Sequence, residues 1–369
     1  MKMMKANNYN PGIDVVRFIA FLFVFIHHFI YQGGNSLTGS PDAFWVNSYV
    51  DSIAFFGSEG VTIFFCLSGF LLSKLLIKEM NDTGKLSIRS FYLRRILRIW
   101  PLYFSFIGFC LLTTPLLGNQ AIVVSELPSL MTFTYNWQQL YLNNSRGMAA
   151  ILWSISVEEQ IYLILPLLLV LFYKVGVRRL PILLITLGIF SRIFFYMNDL
   201  PMYRNTFSYM STVGIGMFYA IYEEKIRFCS QRNRILLNNL LLLLITCYIL
   251  QFKDFFSKGI LSVVAFDLTA MMAIFLLIIL GGAQGRLAIK VFKPFAWLGR
   301  RTYGMYIFHW PILAFCVSKN IFFDDFRGIS YIGIIFAFTL VVTISAFSYR
   351  FFEKPFLDLR KKYQYIKVG

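Results

Sequence analysis

The sequence predicts an all-α, polytopic membrane protein: one bundle of about ten transmembrane helices, both termini cytoplasmic, occupying residues 1–369 as a single domain. Three observations predict it. Of the 369 residues, 58% are hydrophobic and 14% are charged, against roughly 25% charged in soluble domains. Apolar runs of the ~20 residues needed to cross hydrocarbon recur along the chain. Basic residues concentrate in alternate loops. A water-soluble protein of this size cannot cover so much apolar surface, and the mean hydropathy of +0.65 disfavours a soluble enzyme, a disordered chain or a disulfide scaffold.

The spans are read in order at about 13–31, 53–77, 97–114, 152–173, 180–197, 206–223, 236–252, 260–281, 295–317 and 329–352. The first follows a short polar stretch, Met1 to Asn10, and no small-residue cleavage site succeeds it, so it reads as a retained helix and not a removed signal peptide. Pro181, Arg192, Gly214 and Gly216 interrupt the fifth and sixth spans. Gly60 and Ser68-Gly69 in the second read as close helix packing. Residues 115–151 form the longest outer loop.

Orientation follows from Lys and Arg. With the N-terminus inside, 28 of the 35 basic residues fall on the inner side and six outside: Arg146, Arg204, Lys253, Lys258, Lys319 and Arg327. Arg192 lies within a span. In a soluble chain a net charge of +17 would suggest nucleic acid. Here it suggests orienting loops, or a polyanionic small molecule on the cytoplasmic side. Five separated cysteines without a C-x-x-C read as packing residues, and no metal site is expected.

Charged groups in hydrocarbon cost about 3 kcal/mol on insertion scales and usually face a cavity or partner. In the first span, Arg17 and His28 are eleven positions apart, about 20° past three full turns, so they share a face about 16 Å apart. Arg17 sits at the cytoplasmic mouth, where it could also be a snorkelling anchor, and His28 near the outer end. Asp14, one turn before Arg17, can orient it. Arg95 and Arg98 enter the third span one turn apart, and guanidinium forks suit phosphate. The fourth span opens outside with Trp153-Ser154, then Glu158, Glu159 and Tyr162. Glu158 could pair with a histidine or a sugar hydroxyl, while Glu159 reads as solvated. In the ninth, Tyr303, Tyr306 and His309 recur every three residues, with His309 level with His28. Glu353 reads as a salt-bridge partner for an inner arginine, and Ser68 finds little support as a nucleophile.

No zinc spacing, P-loop or nucleophile-elbow motif occurs. The pieces that do occur resemble the membrane-bound acyltransferase-3 family of bacterial O-antigen and exopolysaccharide O-acetylases, over nearly the whole chain. Arg17 through His28 is similar to its R-x10-H helix and Gly60 to Phe70 to its second-span signature. Arg95-Ile96-Leu97-Arg98 resembles its R-x-x-R. Trp153, Ser154, Glu158 and Tyr162 match its W-S-x-x-x-E-x-x-x-Y, and Tyr303 to Pro311 its Y-G-x-Y-x-x-H-x-P. Ser348-Tyr349 with Glu353 and Pro355 matches its close. Glu59 departs from the pattern, since members often carry a small neutral residue there. An extra C-terminal esterase-like domain of the kind some members carry is not expected, so activity is expected in the membrane part.

The resemblance implies acyl transfer, usually acetyl, from acetyl-CoA to a glycan hydroxyl (O-antigen, capsule or exopolysaccharide) at the bacterial inner membrane. Arg17, Arg95 and Arg98 would bind the donor phosphates. His28 would act as general base or transient acyl carrier, and Glu158 would orient His28 or the sugar. Tyr306 and His309 would line the acceptor side or steady the oxyanion, with Asp14, Trp153 and Tyr162 in support. Two rival readings are a transporter or flippase of an acyl or glycan intermediate, against which no inverted repeat is visible, and an anchoring partner of a glycan-assembly complex.

Overall fold

The computed structural model describes residues 11–37, 57, 59–117, 122–142, 147–232, 239, 262–282, 286–319, 321, 323–324, 328–329 and 331–363. Its longer helices are α1 (Pro11–Leu37), α2 (Gly60–Thr83) and α3 (Ile88–Leu117). Two short helices follow, α4 (Leu127–Met131) and α5 (Tyr135–Leu142), then α6 (Trp153–Val175), α7 (Arg179–Met197) and α8 (Met210–Arg232). The series ends with α9 (Ser262–Gly282), α10 (Arg286–Gly299), α11 (Thr302–Ser318), α12 (Tyr331–Ser348) and, after a π-helical stretch Tyr349–Glu353, α13 (Lys354–Arg360). One antiparallel pair of two-residue strands, Phe323–Asp324 and Gly328–Ile329, is the departure from all-α among the described residues.

Seven described segments are long and apolar enough to cross a membrane, and they coincide with the expected first, second, third, fourth, fifth, eighth and tenth spans. The sixth forms a helix, α8, but is not one of the seven. It carries Ser211, Thr212, Gly214 and Gly216 early and Glu223, Glu224 and Lys225 later. The seventh, 236–252, lies outside the described residues. The ninth needs correction: the chain leaves the helix after Gly299 and restarts at Thr302, so 295–299 belong to α10 and α11 has 17 residues. A Cβ on Gly299 would collide with the backbone of Asp14. The end of α10 is therefore pressed against α1, and the chain turns there.

Packing explains the small residues. The most extensive contact is between α2 and α8. A Cβ on Gly69 would meet the Val213 carbonyl, and one on Gly216 the Cys66 carbonyl, so the two backbones touch where side chains would separate them. Without a hydrophobic drive between helices in lipid, such close approach is what holds a bundle together. Prolines 101, 166 and 311 lie inside α3, α6 and α11, which neighbouring helices in a membrane tolerate.

Arg192, flagged by its place in a span, is fully buried. Its Nη2 lies 2.6 Å from Asp267 Oδ2, and its Nη1 donates to the Ser208 carbonyl at 2.6 Å and to Ser211 Oγ at 2.7 Å. The pair ties α7 to α9, with the start of α8 between them. Residues 122–142 fold over the end of α6 where Trp153 lies. Gln160 there donates to the Phe133 carbonyl at 2.7 Å and to Asn136 Oδ1 at 2.8 Å, and accepts from Trp137 and Thr206. The long loop is thus a hydrogen-bonded cap.

Candidate functional site

The arginine end of the site is built by the first turns of α1 and α3. Helical spacing turns Arg95 and Arg98 to one face, and both line a cavity of about 340 Å³ together with Arg17 of α1. Asp14 orients Arg17 as its spacing predicts: Arg17 Nη1 donates to Asp14 Oδ1 at 3.2 Å, and Arg300 lies 3.7 Å from the other oxygen. The Arg95 guanidinium lies over the rings of Phe91 and Tyr162, 5.5 and 5.3 Å from their centroids. That leaves its hydrogen-bonding edge for another partner. Arg94 does different work. It is buried, 3.3 Å from Glu79 Oε2, and donates to the Tyr363 carbonyl at 2.6 Å.

Glu158 and Tyr162, one turn apart on α6, also face the cavity. Ser68 Oγ donates to Glu158 Oε1 at 2.9 Å, and the Tyr162 hydroxyl donates to the same oxygen. This corrects one expectation and adds a contact. Glu158 is not held by a histidine; hydroxyl groups from α2 and from its own helix satisfy it, because the i, i+4 relation turns it toward the Tyr162 face. Ser68, dismissed as a nucleophile, is a hydrogen-bond donor to the buried carboxylate, whose desolvation such bonds offset. Glu159 is not solvated either. It is half-buried, and its Oε2 accepts from Trp100 Nε1 at 3.2 Å. Glu353 makes no ion pair among the described residues. It accepts from Ser348 Oγ at 3.2 Å, while the charges of Arg98 and Arg301 act on it from a distance.

At the other end, α1 and α11 bring two imidazoles together. His28 Nδ1 lies 2.7 Å from His309 Nε2, with the rings stacked at 4.9 Å. His309 Nδ1 lies 2.5 Å from the Tyr306 carbonyl. A carbonyl only accepts, so His309 Nδ1 carries the proton. With both rings neutral, His309 Nε2 is then the acceptor, His28 Nδ1 the donor, and the free lone pair is on His28 Nε2. Trp310 packs edge-on to His28 at 4.8 Å and Phe21 to His309 at 5.8 Å. His309 has no exposed surface. The sequence placed the two histidines at one level; their hydrogen bond is visible only in the packed bundle.

Tyr306 joins the two ends. Its side chain lines the cavity and its hydroxyl lies 2.6 Å from Ser154 Oγ, while its carbonyl holds His309. His28 and His309 do not themselves line the cavity. Of the expected 16 Å line from Arg17 to His28, the cavity covers the stretch from the arginines to the Ser154–Tyr306 pair. Trp153 lies outside the cavity wall and packs on Tyr203, ring centroids 4.8 Å apart. Ser68, Tyr303 and Thr302 line the cavity but were not assigned roles; Ser68 and Tyr303 fall within motif matches, and Thr302 carried no signal. Glu79 and Asp267, the partners of Arg94 and Arg192, carried no local signal, since each lies on a different helix from its arginine, 15 and 75 positions away.

A Staphylococcus aureus (strain MSSA476) protein whose name assigns it provisionally to the O-acetyltransferases is 26% identical over 379 residues, covering 95% of this chain and 58% of its own length. The peptidoglycan O-acetyltransferase OatA of Listeria monocytogenes is 26% identical over 84% of this chain and 50% of its own length. The O-acetyltransferase OatA of S. aureus (strain NCTC 8325) is 25% identical over 98% of this chain and 59% of its own. The chain thus spans between half and three-fifths of the length of these relatives. No solved structure matches it. A match to the acyltransferase domain of the acyltransferase-3 family runs over residues 10–349 and so takes in the arginines, the carboxylate and both imidazoles: the chain belongs to that family.

Proposed function

We propose that this protein is a membrane O-acyltransferase that moves an acetyl group from cytoplasmic acetyl-CoA to a hydroxyl of a cell-envelope glycan at the outer face of the bacterial cytoplasmic membrane. One observation carries the reading: a single cavity has Arg17, Arg95 and Arg98 at one end and Ser154 and Tyr306 at the other, and Tyr306 in turn holds the imidazole pair. The 28-to-6 partition of basic residues supports ten spans with both ends inside, and in that orientation the arginines face the cytoplasm, where the donor is made. The relatives named for O-acetylation, one of them for peptidoglycan, support a glycan acceptor. O-antigen, capsule and exopolysaccharide remain acceptors of the same chemistry.

In this reading the arginines bind the donor phosphates and the pantetheine arm lies along the cavity. His28 Nε2, the lone pair left free by the hydrogen-bond chain, removes the proton of the acceptor hydroxyl. The alkoxide oxygen bonds to the thioester carbonyl carbon, the carbon–sulfur bond breaks, and the thiolate leaves with the proton from the imidazolium. A covalent variant in which His28 first takes the acyl group uses the same atoms. His309 orients His28, Tyr306 steadies the oxyanion, and Glu158 with Tyr162 and Ser68 shapes the wall. Ser154 and Tyr306 line the cavity and His28 does not, so transfer requires the space to extend to His28 when donor binds. Incubation of the purified chain with labelled acetyl-CoA and envelope glycan tests the proposal. Label is expected in the glycan with the natural sequence and at background with H28A. Equal transfer by H28A, or movement of intact donor across vesicles without transfer, overturns it.

A further inference from the structure

The turn that leads into α6 grips α11 on the face that carries the imidazole pair. His309 and Trp310 stand one helical turn beyond Tyr306, so the three residues share that face. The 3-10 turn Met148–Leu152 packs against α11. The Tyr306 hydroxyl donates to the Ile151 carbonyl at 3.1 Å, and Trp310 Nε1 donates to the Gly147 carbonyl at 3.0 Å. Gly147 precedes the turn with φ 108° and ψ 176°, a backbone region open essentially to glycine alone. A side chain at position 147 would turn the backbone out of that region and its carbonyl away from the indole.

His28 is held from two directions. The bond to His309, at 2.7 Å, fixes where Nδ1 points. One hydrogen bond still leaves the ring free to turn about the line joining the two nitrogens. The Trp310 ring removes that freedom. It stands at 78° to the imidazole with the centroids 4.8 Å apart, within the range of a T-shaped aromatic contact. The His309 ring, by contrast, is stacked on the imidazole at 25° and 4.9 Å. The two contacts together set where Nε2 points. His309 is held by the backbone of its own helix, through the Tyr306 carbonyl. Trp310 is held from outside its helix, by Gly147.

Building on the reading of His28 as the base, we propose that Trp310 is a positioning residue for His28 and that Gly147 positions Trp310, so that the segment entering α6 sets the orientation of the base. W310F keeps a ring beside His28 and removes the N–H. Transfer from labelled acetyl-CoA to envelope glycan by the purified full chain is expected to fall about tenfold in kcat, since an ångström of misplacement costs up to about 10²-fold. Donor affinity should stay within about twofold of the natural value. G147A should lower kcat to a similar degree, and the double variant no further than the larger single loss, because both changes cut the same link. W137F removes an indole hydrogen bond to Gln160 elsewhere in the cap and should keep the natural kcat. A purely structural Trp310 would instead lower the unfolding temperature and leave kcat of the folded enzyme unchanged. That result overturns the proposal, as do losses that multiply in the double variant, or a W137F loss equal to that of W310F. Should G147A not fold, W310F against W137F decides. H28A keeps the two readings apart. Natural transfer by H28A overturns the base reading and this proposal with it, whereas background transfer by H28A beside natural kcat in W310F overturns this proposal alone.

Discussion

His28 Nδ1 lies 2.7 Å from His309 Nε2, and the Tyr306 carbonyl, 2.5 Å from His309 Nδ1, sets the direction of that bond. Two residues 281 positions apart thereby determine which nitrogen of His28 is basic. In the mechanism proposed above His309 acts through His28 as a positioning residue, so its replacements should separate by hydrogen-bonding capacity. H309A is expected to lower kcat about 10²-fold with KM for the donor little changed. H309Q, whose amide can still accept from His28 and donate to Tyr306, should recover much of the loss. Equal kcat for H309A and H309Q would show that the bond does not orient the base.

The arginines predict a different kinetic signature. R17Q and R95Q each remove a guanidinium that binds phosphate in the donor site proposed above, and each should weaken donor binding about tenfold while kcat at saturation falls less. Donor titration beside steady-state kinetics measures the split. Unchanged affinity in both variants would show that the cavity mouth is not the donor site.

Removing a hydroxyl that serves the Glu158 carboxylate should be felt locally. S68A leaves Tyr162 as the remaining hydroxyl donor and is expected to cost about 1 kcal/mol of stability, with a reduced rate of transfer. Thermal unfolding in detergent and the transfer assay read the two effects. An S68A protein indistinguishable from the natural one in both would leave the Ser68–Glu158 bond without consequence.

The Arg192–Asp267 pair is predicted to be structural. R192Q leaves a buried aspartate without its cation, and breaking such a pair by one partner costs about 3 kcal/mol. The double change R192L with D267L should recover part of this, because no unpaired charge remains. Recovery is measured as the unfolding temperature of the double variant relative to R192Q; a double variant no more stable than R192Q would contradict the assignment.

Glu126, in the cap outside the spans, has its carboxyl raised above the ordinary value of 4.5 by burial. A folded carboxyl that holds its proton more tightly than the unfolded one costs nothing below the unfolded value and destabilises the fold fully once pH has risen through the folded value. E126Q is therefore expected to raise the unfolding temperature at pH 7, and the gain should vanish below about pH 4.5. A gain of equal size at both pH values would assign the effect to packing and not to charge.

Hydrophobic run length and the loop bias in Lys and Arg made the membrane bundle legible before any coordinates, since lipid imposes both locally along the chain. Helical periodicity likewise put Arg95 beside Arg98 and Arg17 beside Asp14, because neighbours within three or four residues are set by the helix alone. The break after Gly299 was not legible: it depends on how closely α10 meets α1, a distance no local pattern encodes. The contact of Ser68 with Glu158, the tautomer of His28 and the charge compensating Arg192 were decided by tertiary structure. Each joins groups from helices remote in sequence, and only the packing of the bundle brings their polar atoms into range.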